Sequence, residues 1–189
     1  MRIGRPLTAV VTAALSVIAL LVTPVAAQAA NPIYVSVLKP STSSPVKVLD
    51  MTGWSTDDLT QAQLYALRTT GDVTNQRWFV ELLYKDSGLG VYHLRNAHAT
   101  TKCLDRRLDG SLDNGDVVQQ YTCNSSGKNQ QWRAHPKKEN TGDPNLNWVR
   151  LENMADGRCL DVSNANYADG AALQVWDCGW AWNQRWNIY

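Results

Sequence analysis

Three aspartates, Asp50, Asp105 and Asp161, each begin the same ordered run of polar and aromatic residues in this 189-residue chain. Asp50 is followed by Gln63, Tyr65 and Asn75, Asp105 by Gln119, Tyr121 and Asn129, and Asp161 by Gln174, Trp176 and Asn183. A carboxylate can accept from two neighbouring hydroxyls at once, through the stronger charge-assisted kind of hydrogen bond. A side-chain amide offers both a donor and an acceptor. A flat aromatic face takes up apolar C–H groups, while the polar edge of Tyr or Trp stays in water. This is equipment for holding a neutral, polyhydroxylated ring, and nothing in it looks catalytic.

The order recurs because the chain itself repeats. Each of the three asparagines opens an Asn-Gln-x-Trp motif: Asn75-Gln76-Arg77-Trp78, Asn129-Gln130-Gln131-Trp132 and Asn183-Gln184-Arg185-Trp186. Successive motif tryptophans lie 54 residues apart both times. A periodic sequence builds a periodic fold, so three copies of one unit are expected, approximately residues 33–86, 87–140 and 141–189. The second and third copies carry Cys103-Leu104-Asp105 and Cys159-Leu160-Asp161, then the turn pairs Asn114-Gly115 and Asp169-Gly170, then Cys123 and Cys178. Four cysteines allow three pairings. The repeat register selects Cys103–Cys123 and Cys159–Cys178, loops that each stabilise by about 3 kcal/mol in the chain-entropy picture. The first copy has Val48 and Leu67 at the cysteine positions and Leu59 at the glycine position. It is expected to be the degenerate unit, distorted at Leu59, with an apolar contact in place of the bridge.

Composition narrows the function classes. Arg2 and Arg5, the apolar stretch Leu7–Val22 and Ala27-Gln28-Ala29 read as a signal peptide over residues 1–29. The apolar run is shorter than the roughly 20 residues of a spanning helix, so a secreted, extracellular protein without membrane insertion is expected, with residues 30–189 as one domain. Without those two arginines the chain's 18 basic residues fall one short of its 17 acidic ones. No basic face emerges, which argues against nucleic acid as a partner. Eight Trp and seven Tyr beside a single Phe fit a wet recognition surface. No metal site or cofactor is expected: paired Cys-x-x-Cys knuckles are missing, and His93, His98 and His135 lack ligand spacing and read as surface residues. Asp105, Asp109, Asp113 and Asp116 do not match an EF-hand loop and read as a solvated turn.

Segments such as Tyr34–Leu38, Gln76–Leu83, Val91–Leu94, Val117–Tyr121, Trp148–Leu151 and Leu173–Trp176 read as short strands. Asp-Gly and Asn-Gly pairs, Asp109-Gly110 among them, mark turns between them. The class is all-β with about four strands per repeat. Three units are too few for a propeller, whereas three four-stranded units around a pseudo-threefold axis make a β-trefoil. The set Cys-Leu-Asp, Asp-Gly or Asn-Gly, Gln-x-Trp-x-Cys and Asn-Gln-x-Trp, spread over Ile33–Tyr189, resembles the ricin B-chain type β-trefoil lectin family.

The resemblance implies one shallow sugar site per repeat: Asp161, Gln174, Trp176 and Asn183; Asp105, Gln119, Tyr121 and Asn129; Asp50, Gln63, Tyr65 and Asn75. The Asp would hold two hydroxyls, the aromatic would stack on the ring and the Asn would reach a hydroxyl. Gln63, Gln119 and Gln174 would buttress the Asp, as would Gln76, Gln130 and Gln184, and Trp78, Trp132 and Trp186 would be core. Trp180 and Trp182 either extend the third platform or anchor their loop. The implied partners are glycans or polysaccharides, of galactose or xylan type, with any enzyme or toxin on a separate chain. A protein-binding trefoil, such as an inhibitor or a targeting subunit, is the alternative.

Overall fold

The computed structural model describes residues 31–37, 45–109, 112–138 and 147–188. The expected signal segment 1–29 and Gly110 of the Asp109-Gly110 turn lie outside the described residues. Twelve strands account for the fold: β1 (Ile33–Val37), β2 (Lys47–Met51), β3 (Thr60–Ala66), β4 (Arg77–Asp86), β5 (Leu89–Asn96), β6 (Lys102–Arg106), β7 (Val118–Thr122), β8 (Trp132–Lys138), β9 (Asn147–Asn153), β10 (Cys159–Val162), β11 (Ala171–Trp176) and β12 (Trp186–Ile188). Short 3-10 turns are the helical elements among the described residues.

Six strands close on themselves as a barrel, β1 pairing with β4, β4 with β5, β5 with β8, β8 with β9, β9 with β12 and β12 with β1. The other six form hairpins β2–β3, β6–β7 and β10–β11. These hairpins also join one another in a ring, β11 to β3, β3 to β7, and Val117 to Gln174. A barrel capped by a triangle of hairpins, each repeat supplying one hairpin, is a β-trefoil. Each strand expected from the sequence overlaps one of these elements, although Leu38 lies outside the described residues. Gln76 falls in the 3-10 turn that leads into β4, and Val117 is an isolated bridge before β7.

The three motif tryptophans explain why the repeat is kept. Trp78, Trp132 and Trp186 are wholly buried in one cluster with Leu49, Leu104 and Leu160. Their indole N–H groups donate to the carbonyls of Leu49 (3.2 Å), Leu104 (3.0 Å) and Leu160 (3.0 Å), so each carries its polar edge inward without an orphaned donor. Each accepting leucine directly precedes a site aspartate, which ties the core to the site.

The first unit is less distorted than its sequence implied. Leu59 takes the left-handed φ of 67° beside 95° at Gly115 and 82° at Gly170. Its N–H bonds to Gln120 O at 3.0 Å, as those of Gly115 and Gly170 bond to Val175 O and Leu64 O, both at 2.9 Å. The neighbouring hairpin holds leucine where glycine would sit without strain. Val48 is fully buried and Leu67 half-buried, and the Leu67 N–H donates to Val46 O at 2.8 Å, as that of Cys123 does to Thr101 O at 2.9 Å. Both expected disulfides, Cys103–Cys123 and Cys159–Cys178, are present.

Two expectations are corrected. His93 is buried, not on the surface. Asp116 does not lie in a solvated turn: it pairs with the wholly buried Arg106, which also meets Asp156 of the next unit through Nε at 3.0 Å. A buried guanidinium has to be matched by carboxylates, and here one of them crosses a repeat boundary.

Candidate functional site

Strand alternation and hairpin register assemble the predicted residues. In β11, Ala171, Leu173 and Val175 point into the core, which turns Gln174 and Trp176 outward on one face. Antiparallel pairing sets Asp161 opposite Gln174 and Cys159 opposite Trp176, and likewise Asp105 opposite Gln119 and Asp50 opposite Gln63. The 3-10 turn before the motif tryptophan then brings Asn183 and Gln184 over the same carboxylate.

The aspartates are more enclosed than their expected role required, at 2, 2 and 1 % exposure for Asp161, Asp105 and Asp50. Asp161 accepts from Gln174 on Oδ1 (2.9 Å) and from Gln184 (3.0 Å) and Asn183 (2.6 Å) on Oδ2. Asp105 repeats the arrangement with Gln119 (3.0 Å), Gln130 (3.0 Å) and Asn129 (2.7 Å). Of roughly four acceptor positions on a carboxylate, one on Oδ1 remains, where the sequence reading called for two hydroxyls. Burial pushes all three carboxyls above their ordinary pKa, and the amide hydrogen bonds pull the other way. Gln184, Gln130 and Gln76 also lock the loop, accepting the N–H of Gly179 (2.7 Å), Asn124 (2.7 Å) and Arg68 (3.0 Å).

Around the third aspartate lies an open depression of about 240 Å³ lined by Asp161, Asn164, Ala165, Gln174, Trp176 and Asn183. Its rim residues Asn164 and Ala165 both have left-handed φ, 54° and 49°. That strain is worth noting at a candidate site. Around the second lies one of about 420 Å³, where Asp105, Gln119, Tyr121 and Asn129 are joined by Arg107, Leu108, Asp109 and Leu59. Leu59 comes from the first repeat. No motif marks it, although its place in the glycine column, facing the neighbouring hairpin, could have. Trp176 and Tyr121 are 44 and 41 % exposed, as platforms must be.

The first set differs. Asp50 accepts from Gln63 (2.7 Å), Gln76 (3.0 Å) and Asn75 (3.1 Å) as its counterparts do, but also from Arg68 Nη2 (3.1 Å). Arg68 further donates to Asn75 Oδ1 and stacks over Trp54, 4.0 Å from the ring centroid. Neither Arg68 nor Trp54 was singled out by the sequence. Trp180 and Trp182 do not line the third depression, and neither is buried, at 47 and 38 % exposure. Arg185 lies over Trp182 at 4.3 Å and donates to Trp180 O, and Trp180 packs edge-on against buried Trp148 at 5.5 Å.

Comparison with known proteins agrees with this geometry. The model of the ricin-type β-trefoil lectin domain-like family matches residues 74–176 and 128–189, more than half of the chain. The chain belongs to that family. Among solved structures it is similar to the designed threefold-symmetric protein ThreeFoil, with 30 % identity, a TM-score of 0.65 and coverage of 82 % of this chain and 96 % of that one. It is also similar to an exo-β-1,3-galactanase from Clostridium thermocellum, with 27 % identity and a TM-score of 0.62, over 84 % of this chain but 30 % of the enzyme. Nigrin b of Sambucus nigra is 52 % identical over 33 residues, 18 % of this chain and 6 % of that protein. The family member described here thus matches only a small part of that curated relative.

Proposed function

We propose that this chain, read as a single lectin domain over residues 30–189, is an exported protein that binds carbohydrate without transforming it. Its shallow sites lie in the third and second repeats, and galactose-type glycans come first among ligands, xylan-type second. The observation that carries the reading occurs twice: a carboxylate with one acceptor position left, beside an exposed aromatic face and an asparagine whose Oδ1 has no hydrogen-bond partner among the described residues. A ring stacked on Trp176 or Tyr121 would present a hydroxyl to Asp Oδ1 and another to Asn Oδ1. Membership of a lectin-like family supports this, and the similar galactanase supports galactose.

A glycosidase needs two carboxyls about 5 to 10 Å apart across the bond; the third depression is lined by one, Asp161, and of the two that line the second, Asp105 is taken up by three amides. Two disulfides support export. Among the described residues no helix is long and apolar enough to cross a membrane. Screening the purified chain on a glycan array, then titrating lactose and xylobiose by calorimetry, tests the proposal. Galactosides should bind with Kd values near the millimolar range and without hydrolysis. Silence across galactosides and xylans would refute it.

A further inference from the structure

We infer that Arg68 is a built-in occupant of the first repeat's sugar site, so that the native chain binds two sugars and holds a third, complete site closed. This rests on the sugar-binding reading of the other two sites.

The framework of the first site is whole. Asp50 carries the same three amides as Asp105 and Asp161, and Tyr65 stands opposite Val48 in the register that sets Trp176 opposite Cys159. Arg68 takes one of the two groups a sugar would need, the Asn75 oxygen, and covers the aromatic face, while Asp50 Oδ1 accepts from Gln63 as its counterparts do in the other repeats. Arg68 Nη2 donates to Asp50 Oδ2 and to Asn75 Oδ1, the asparagine oxygen that at Asn129 and Asn183 has no partner among the described residues. Its guanidinium lies over Trp54 at 4.0 Å and Tyr65 at 5.6 Å, both within the roughly 6 Å reach of cation–π attraction. A planar group with donors at its edge and a flat face on aromatics makes the same two kinds of contact as a stacked sugar ring. Tyr65 is accordingly half-covered and Asn75 buried, while Tyr121 and Trp176 are exposed and Asn129 and Asn183 half-exposed.

The occupant is particular to this repeat. The residue whose N–H meets the motif glutamine is Arg68 here but Asn124 and Gly179 in the others. The fourth residue after the aspartate is Trp54 here, completing the clamp, but Asp109 and Ala165 elsewhere. A tethered group competes at a millimolar or higher effective concentration, and its bond to Asp50 joins two opposite charges where a hydroxyl's would have charge on the acceptor alone. A weakly bound sugar cannot displace it. The fold does not need the arginine at this position, since Asp161 is held by amides alone.

The test follows the indole N–H signals of the ¹⁵N-labelled full chain during lactose titration, with stoichiometry from calorimetry. In the native protein the Trp176 signal should move, that of Trp54 should stay in place at saturation, and two sugars should bind. In Arg68→Gly, or Arg68→Asn, which installs the second repeat's residue, the Trp54 signal should move and three sugars should bind. Movement of Trp54 alongside Trp176 in the native chain overturns the inference even if both variants fail to fold. So does a folded variant that still binds two. If Trp176 is silent in the native chain, the sugar-binding reading fails first, and this inference with it.

Discussion

At the scale of single residues, the aspartate and the aromatic divide structure from binding. Asp161 anchors three amides in a nearly closed position, so Asp161→Ala would leave three donors unmatched at about 1–3 kcal/mol for each one that stays buried. Trp176 is the cleaner probe. Trp176→Ala should weaken lactose binding at the third site about tenfold, in line with an aromatic contact worth about 0.5–1.5 kcal/mol. The melting temperature should stay nearly unchanged, which a thermal scan beside the calorimetric titration would check. Acid should act through Asp161. Burial, opposed by the three amides, raises its carboxyl above the ordinary 3.8. The ionised form is the hydroxyl acceptor, so lactose affinity should fall as pH drops toward 4, with a midpoint above 3.8. Affinity that stays constant from pH 7 to 4 would show that the carboxylate is not a sugar contact. The sign for stability is the reverse. A raised carboxyl binds its proton more tightly folded than unfolded, so these aspartates favour the fold as pH falls and do not drive acid unfolding.

At the scale of elements, the hairpin triangle is held by a clasp that recurs at each corner. Asp58 accepts the N–H of Thr122 and Lys102 Nζ, both at 2.6 Å. Asn114 accepts the N–H of Asp177 (2.7 Å) and Arg158 Nε (2.9 Å), and Asp169 accepts the N–H of Ala66 (2.7 Å) and Lys47 Nζ. Asn114-Gly115 and Asp169-Gly170, read from sequence as turns, are therefore joints between repeats, as is Asp58-Leu59. The side chain grips the next hairpin while the following residue turns left-handed. At Asp169 the bond from Lys47 is the largest influence and lowers the carboxyl pKa; burial opposes it, and the bond from Ala66 and the Lys47 charge add to the lowering. Its contribution is present above 3.8 and is lost as pH falls through the lowered value. Asp169→Ala should cost about 1 kcal/mol at neutral pH, kept modest by the partial exposure of the carboxylate. Urea melts at pH 7 and again well below pH 3 should show that gap and then its closure. A gap that persists in acid would place the stabilisation elsewhere.

At the scale of the whole molecule, the proposed sites would act together. Two open sites on one rigid body would let a branched or polymeric glycan engage both, raising apparent affinity by roughly 10² to 10⁴ where the spans match. Tyr121→Ala or Trp176→Ala alone should therefore reduce retention on immobilised galactan far more than it changes free lactose binding at the intact site. Affinity chromatography beside calorimetry measures both. Equal losses in the two assays would mean that the sites act singly.

The repeat, the β-trefoil, both disulfides and the gathering of amides around each aspartate were legible in the chain, because each is set by periodicity. The 54-residue spacing of Trp78, Trp132 and Trp186 brings their counterparts into register whatever the loops do. Tertiary structure alone decided what crosses between repeats or fills a space. Leu59 reaches the second depression from the first repeat, Arg106 meets Asp156 of the next, and Arg68 bonds both Asp50 and Asn75. The physical reason is that a repeat pattern records which positions are equivalent. The length and charge of a side chain at a non-repeating position show their effect only once the neighbouring surface is in place.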